Sequence, residues 1–145
     1  MEQKAKELNT FIKLKNDKLN FKGFVEGNEP ISIDYIPPLG DNLGYTSLEL
    51  FLLSLSTCLA SSILPFLRRM GKTINGFEAS SKGIRNTEHP TCFSEIEIVF
   101  KIYSPDVNEE DMNKVIKISE ETYCPVWAMI KGNVAVKIKT EIIKP

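Results

Sequence analysis

The side chains in this sequence most able to act as nucleophiles or soft ligands are three cysteines and a single histidine. Cys124 stands between Tyr123 and Pro125. Proline suits the first position of a helix, so the Cys124 sulfur is expected at a helix N-terminus, where backbone amides and the dipole favour a thiolate. Cys58 lies deep inside an apolar helical stretch. On its own it reads as a small buried hydrophobe, beyond the reach of a dipole that fades after the first turn. Cys92, between Pro90 and the start of a strand at Phe93, has no activating feature and reads as structural. His89 sits in a turn beside Pro90 without the partners that a Cys/His nucleophile pair or a zinc site requires, and no CxxC spacing exists. It reads as a solvated turn residue. No glycine-rich phosphate loop follows a strand, which argues against nucleotide binding.

The elements that must position these thiols follow from the hydrophobic periodicity. Residues 11–15 and 19–23 alternate in period two around a turn at Asn16 and Asp17, and a third strand over 31–36 stops at Pro37 and Pro38. Thr46, Ser47, Leu48 and Glu49 form a capping box that opens a long helix over about 46–70, closed by Gly71, with Pro65 expected to kink it. Leu48, Phe51, Leu52, Leu53, Leu55, Leu59, Ile63 and Leu64 cover too many faces for a helix with solvent behind it, so its second side needs a deep core or another subunit. Strands over 74–85 and 91–103 follow as a hairpin, then a second amphipathic helix over about 108–122, a short helix opened by Cys124 and Pro125, and a closing strand over 133–143. The order β-β-β-α-β-β-α-α-β, without repeat or linker, makes residues 1–145 a single α+β domain of ordinary size.

Composition narrows the partners. A formal net charge of -1 with scattered lysines gives no footprint for nucleic acid. Three widely spaced cysteines do not make a secreted disulfide framework, and residues 1–16 alternate charges with short apolar patches where a signal peptide needs a continuous apolar core. A cytoplasmic protein is expected. Residues 48–67 have the length to span a bilayer, yet Ser54, Ser56, Thr57, Ser61, Ser62 and Pro65 interrupt them, so no membrane partner is expected.

Two segments resemble motifs of the OsmC/Ohr family, the osmotically inducible and organic hydroperoxide resistance proteins. Residues 46–58, with Glu49 and an apolar run leading to Cys58, resemble the family's central-helix motif. The run Tyr123, Cys124, Pro125, Val126 resembles its second-cysteine motif. The resemblance covers essentially the whole chain. It implies an α+β fold with two β-sheets packed around the two main helices, in an intertwined homodimer. It also implies a thiol-dependent peroxidase in which Cys58 attacks the O–O bond, becomes a sulfenic acid, and is resolved by Cys124 as a disulfide. Organic hydroperoxides are the implied substrates and a small dithiol or lipoyl-type donor the implied reductant. No metal or organic cofactor is called for.

A cysteine of ordinary pKa, about 8.5, is only a few per cent thiolate at neutral pH, and bringing it to 7 needs about 2 kcal/mol of preference for the anion. For Cys58 that preference calls for a cation. Here the sequence departs from the family, whose reductases supply an arginine from an N-terminal strand: no arginine precedes Arg68. Lys13, Lys15, Lys18 or Lys22 can substitute, without the planar fork of a guanidinium. Arg68 and Arg69 lie about 15 Å along the helix from Cys58, so only a partner subunit's copies can serve it. Glu49 is nine residues from Cys58, on the opposite helical face and about 13.5 Å away along the axis. It either caps the helix, or orients the cation at the other protomer's Cys58 as its family counterpart does, or both. Phe51, Phe66, Tyr123 and Trp127 either line an apolar pocket for an organic peroxide or belong to the core or dimer interface. The alternative to turnover is a slow or non-catalytic protein of the same fold that binds a small apolar ligand or senses oxidants, motivated by the missing arginine.

Overall fold

In the computed structural model, which describes residues 7–145, the chain forms two three-stranded sheets and a set of helices in the order expected. Residues 1–6, part of the segment in which no signal peptide is expected, lie outside the described residues. Two compact units divide at Phe51 and Leu52.

The first unit carries β1 (Phe11–Leu14), β2 (Phe21–Phe24) and β3 (Ile31–Ile33), an antiparallel meander in which Phe11 faces Phe24 and Phe21 faces Ile33. The third strand is shorter than its sequence suggests because the side chain of Asp34 takes over from the ladder. Its carboxylate accepts the N–H of Tyr35 at 2.7 Å and of Leu43 at 3.1 Å, folding the following loop back on the strand. The buried Asp34 is held below the usual carboxylate range by these backbone donors, which outweigh the opposing effect of burial. Gly44 closes the loop against the Ser32 carbonyl, a space that a Cβ would occupy.

Helix α1 (Ser47–Arg69) opens as the capping box requires: the Glu49 N–H donates to Thr46 Oγ1 at 3.2 Å, and Glu49 accepts the Thr46 N–H at 2.9 Å. It runs through Pro65 and ends in a Schellman motif, with the Gly71 N–H donating to the Arg68 carbonyl and the Lys72 N–H to that of Leu67. Gly71 takes φ +79, a left-handed value that glycine adopts without a Cβ clash. By length and composition alone α1 could cross a membrane, with 28% of its most apolar window buried inside the protein.

The second unit holds the core. Strand β5 (Phe93–Tyr103) is central, antiparallel to β4 (Gly76–Arg85) on one side and parallel to β6 (Ala135–Ile143) on the other. Its alternation of Ile96, Ile98, Phe100 and Ile102 with Glu95, Glu97, Val99 and Lys101 puts one row wholly inside and leaves the other half-buried. Leu55, Leu59, Ile63 and Leu67 from α1, Val107 from the loop after β5, and Met112 and Val115 from helix α2 (Glu109–Ile118) are enclosed with it.

The crossover from β5 to β6 carries the second cysteine. The second helix does not continue to 122 as one α-helix. After α2 the chain widens into a single π turn, Ser119–Tyr123, and then starts helix α3 (Pro125–Ile130). A periodicity near 3.6 cannot distinguish this widening from a continued α-helix. Polar bonds fix where the crossover begins: Lys72 pairs with Asp111 at 3.0 Å, Asp106 accepts the Thr73 N–H at 2.8 Å, and Lys144 reaches the Val107 carbonyl at 2.8 Å.

Candidate functional site

Cys58 and Cys124, far apart in sequence, meet within the second unit, close enough for the Cys58 side chain to act on the Cys124 thiol through hydrogen bonding and charge. Cys58 is half-buried on α1, flanked by the buried Ser56 and Leu59. Cys124 is buried, 2% exposed, at the junction of the π turn and α3. Both thiols are free.

The expected placement of Cys124 at a helix N-terminus is correct: it is the N-cap of α3, with Pro125 in the first turn, and its sulfur accepts the Trp127 N–H at 3.3 Å. The expected consequence is not. The Cys124 thiol is pushed up to about 11, first by burial and next by its hydrogen bond to Cys58, and the donors Trp127 and Val126 do not offset these. A helix of six residues offers few aligned amides, and desolvation of a charged sulfur wins. Cys124 thus holds its proton more tightly than an ordinary thiol, with burial as the first cause and Cys58 as the next.

Glu49 belongs to the first unit. Its carboxylate is held below the ordinary range, chiefly by the Thr46 backbone N–H and then by the Thr46 hydroxyl. Of its two expected roles, capping is the one visible within this chain. Among the candidate cations, Lys18 is committed to Asp41 at 2.7 Å and Arg69 lies over the ring of Phe66, 5.4 Å from its centroid. Lys13 and Lys22 are directly opposed on β1 and β2. Phe66 in turn packs against Tyr123, with centroids 5.0 Å apart, so two of the four singled-out aromatics do come together beside the Cys124 segment. Tyr123 nevertheless remains 54% exposed. Cys92 and His89 are exposed, and among the described residues no group of His, Cys, Asp and Glu is arranged to hold a metal ion.

Two residues that join α1 to the Cys124 segment, outside the thiol pair itself, escaped the sequence reading. The Ser62 hydroxyl donates to Ser119 Oγ at 2.6 Å, and the fully buried Ser119 donates to the Val115 carbonyl at 2.7 Å. The signal was present in part, because Ser62 follows Cys58 by one helical turn. The tertiary packing that makes Ser119 its partner leaves no mark on the sequence.

The sequence matches the family of OsmC-like proteins over residues 40–139. No curated protein matches it. Among solved structures, a hypothetical protein from Aquifex aeolicus VF5 is 24% identical, with a TM-score of 0.83 over 96% of this chain and 98% of its own. An OsmC like protein from Mycoplasma pneumoniae is 20% identical, with a TM-score of 0.77 over 95% of this chain and 96% of its own. An organic hydroperoxide resistance protein from Legionella pneumophila is 16% identical, with a TM-score of 0.67 over 92% and 96%. At these identities the likeness is one of fold.

Proposed function

The chain belongs to the OsmC-like protein family, and on that premise we propose that it is a thiol-dependent reductase of organic hydroperoxides, with Cys58 attacking and Cys124 resolving. Family membership supports a redox role related to peroxides, since organic hydroperoxide resistance proteins share the fold. The observation that carries the finer reading is the closeness of the two thiols, one on α1 and one on the crossover, near enough for Cys58 to shift the Cys124 thiol.

In this reading the Cys58 thiolate attacks the terminal oxygen of the hydroperoxide. The O–O bond breaks, the alcohol leaves with a proton from solvent, and Cys58 becomes a sulfenic acid. Cys124 then gives up its proton and attacks the Cys58 sulfur. The S–S bond forms and the hydroxyl departs as water. An external dithiol, small or of lipoyl type, reduces the disulfide by exchange and is itself oxidised. The high pKa of Cys124 suits this order. While Cys58 is anionic, its charge and hydrogen bond help to keep the proton on Cys124; the sulfenic acid carries no such charge, so part of the upward push is relieved when resolution is due.

The same reading makes the protein a cytoplasmic homodimer, with α1 as a core helix. Leu53, 48% exposed, and the exposed Thr57, Ser61 and Pro65 form the side of α1 that a second copy covers. In that dimer Glu49 orients a cation at the cysteine of the other protomer while also capping its own helix. A second reading, a ligand-binding or oxidant-sensing protein with slow thiols, is favoured by the absence of any arginine before Arg68.

Consumption of tert-butyl hydroperoxide and of hydrogen peroxide with a dithiol donor, by the wild type and by Cys58→Ser, decides between them. We expect turnover that prefers the organic peroxide and is abolished by the substitution. No turnover in either protein would favour the binding or sensing role.

A further inference from the structure

Ser62 and Ser119 form a second contact between α1 and the segment that carries Cys124. Ser62 follows Cys58 by four residues, so the two share one face of α1, about 6 Å apart along the axis. On the other side, the Cys124 N–H donates to the Ser119 carbonyl at 2.8 Å, the bond that closes the π turn. In an α turn that N–H would go to Glu120 instead, and the thiol would leave the turn in another direction. Between the two elements the Ser62 hydroxyl donates to Ser119 Oγ at 2.6 Å, and the Ser119 hydroxyl donates to the Val115 carbonyl. Ser119 is therefore bonded through its side chain to α1 and through its carbonyl to the backbone of Cys124. The two contacts stand one turn apart, hydroxyl to hydroxyl and thiol to thiol.

We propose that the Ser62–Ser119 hydrogen bond is a positioning clasp that holds Cys124 in register with Cys58, acting on closure of the disulfide and not on the first reaction of Cys58. The inference rests on the assignment of Cys58 and Cys124 as the redox pair. Closure brings two neighbouring sulfurs to about 2.05 Å within a narrow range of backbone separations. A segment free to slide along α1 would spend little time at that separation; one fixed through Ser119 stays within it. π turns are frequent at functional sites, and here the widened turn is what presents the Ser119 carbonyl to Cys124.

The test needs no peroxide. In a Cys92→Ser background, which removes the exposed thiol, the protein is mixed with dithiobis(nitrobenzoate). The Cys58 thiolate attacks the reagent's disulfide and releases one nitrothiobenzoate. Cys124, losing its proton to solvent, then attacks the Cys58 sulfur, forms the Cys58–Cys124 bond and releases a second. Ser62→Ala is expected to leave the first release unchanged and to slow the second about fivefold, the effect of one neutral hydrogen bond. Ser62→Thr, which keeps a hydroxyl, is expected to restore it. The clasp is overturned if the second release in Ser62→Ala keeps the parent rate, if both releases slow alike, if Ser62→Thr behaves as alanine, or if the parent shows no second release. A protein without peroxidase turnover would still show both releases, so failure of the proposed function and failure of the clasp are separately visible.

Discussion

Cys124 and Glu49 are the residues whose surroundings most alter what their types suggest. Because burial is the larger cause of the Cys124 shift and persists after Cys58 has reacted, disulfide closure is expected to accelerate steadily as pH rises from 7 toward 10, roughly tenfold per unit for an attacking thiolate. Stopped-flow trapping of the Cys58 sulfenic acid against pH measures this; a closure rate flat above pH 8 would contradict the raised thiol. For Glu49, Glu49→Gln keeps an oxygen for the Thr46 N–H and removes the charge. If the carboxylate also serves catalysis, this variant should lose at least about tenfold in kcat/KM, with little change in thermal midpoint, since an amide can still cap. Equal activity would leave Glu49 a helix cap only. The resemblance made both thiols legible in the sequence, and spacing alone would have left Cys58 a buried hydrophobe. What the sequence could not show was the sign of the Cys124 shift. The short helix ahead of it is visible in Pro125, whereas the burial that overrides it depends on tertiary packing, of which Cys58 from α1 is one part.

At the scale of elements, the ends of α1 were readable because their signals are local. Thr46 with Glu49 and Gly71 each act within a few residues, and the structure uses all three. Gly71→Ala is expected to cost about 1 kcal/mol, since alanine strains at φ +79, which urea unfolding would register as a lower midpoint at unchanged slope. The inward row of β5 was readable for the same reason, as strict alternation. Phe100, wholly enclosed and 5.5 Å from the ring of Phe77, should cost about 3 to 5 kcal/mol on replacement by alanine. Strand β3 was overextended because Asp34 to Ile36 keep a strand-like composition while the Asp34 carboxylate bends the chain. The parallel pairing of β6 was not foreseen either: a strand's sequence carries its period, and its partner is chosen by the fold.

For the molecule as a whole, the titrating groups set the direction of its acid response. Asp34, Glu49, Asp106 and Asp111 are all held below their ordinary values of 3.8 and 4.5, in most cases by backbone N–H donors. A carboxyl depressed in the folded state stabilises it above the unfolded value, and that contribution is lost as pH falls through the folded value. The half-buried Glu120 beside Glu121 is shifted upward and works in the opposite sense, one group against four. Stability should therefore be flat near neutrality and decline below about pH 4.5, as urea midpoints across pH 3 to 7 would show. A midpoint that rises on acidification would mean these bonds do not persist in solution. The proposed homodimer belongs to this scale too. Ser61→Arg on the exposed side of α1 should halve the mass seen by sedimentation while leaving far-ultraviolet dichroism intact.

The parallel pairing of β5 with β6 also bears on how the chain is made. Synthesis delivers β4 and β5 early, as neighbours in a hairpin, but the other edge of β5 waits for the last strand of the chain. Until residues 135–143 leave the ribosome, that edge shows unpaired amides beside Ile96, Ile98 and Phe100, an open template for association with other nascent chains. The core is thus completed only once residues 135–143 have been made, and in the interval that edge of β5 is the part of the growing polypeptide most exposed to wrong pairing.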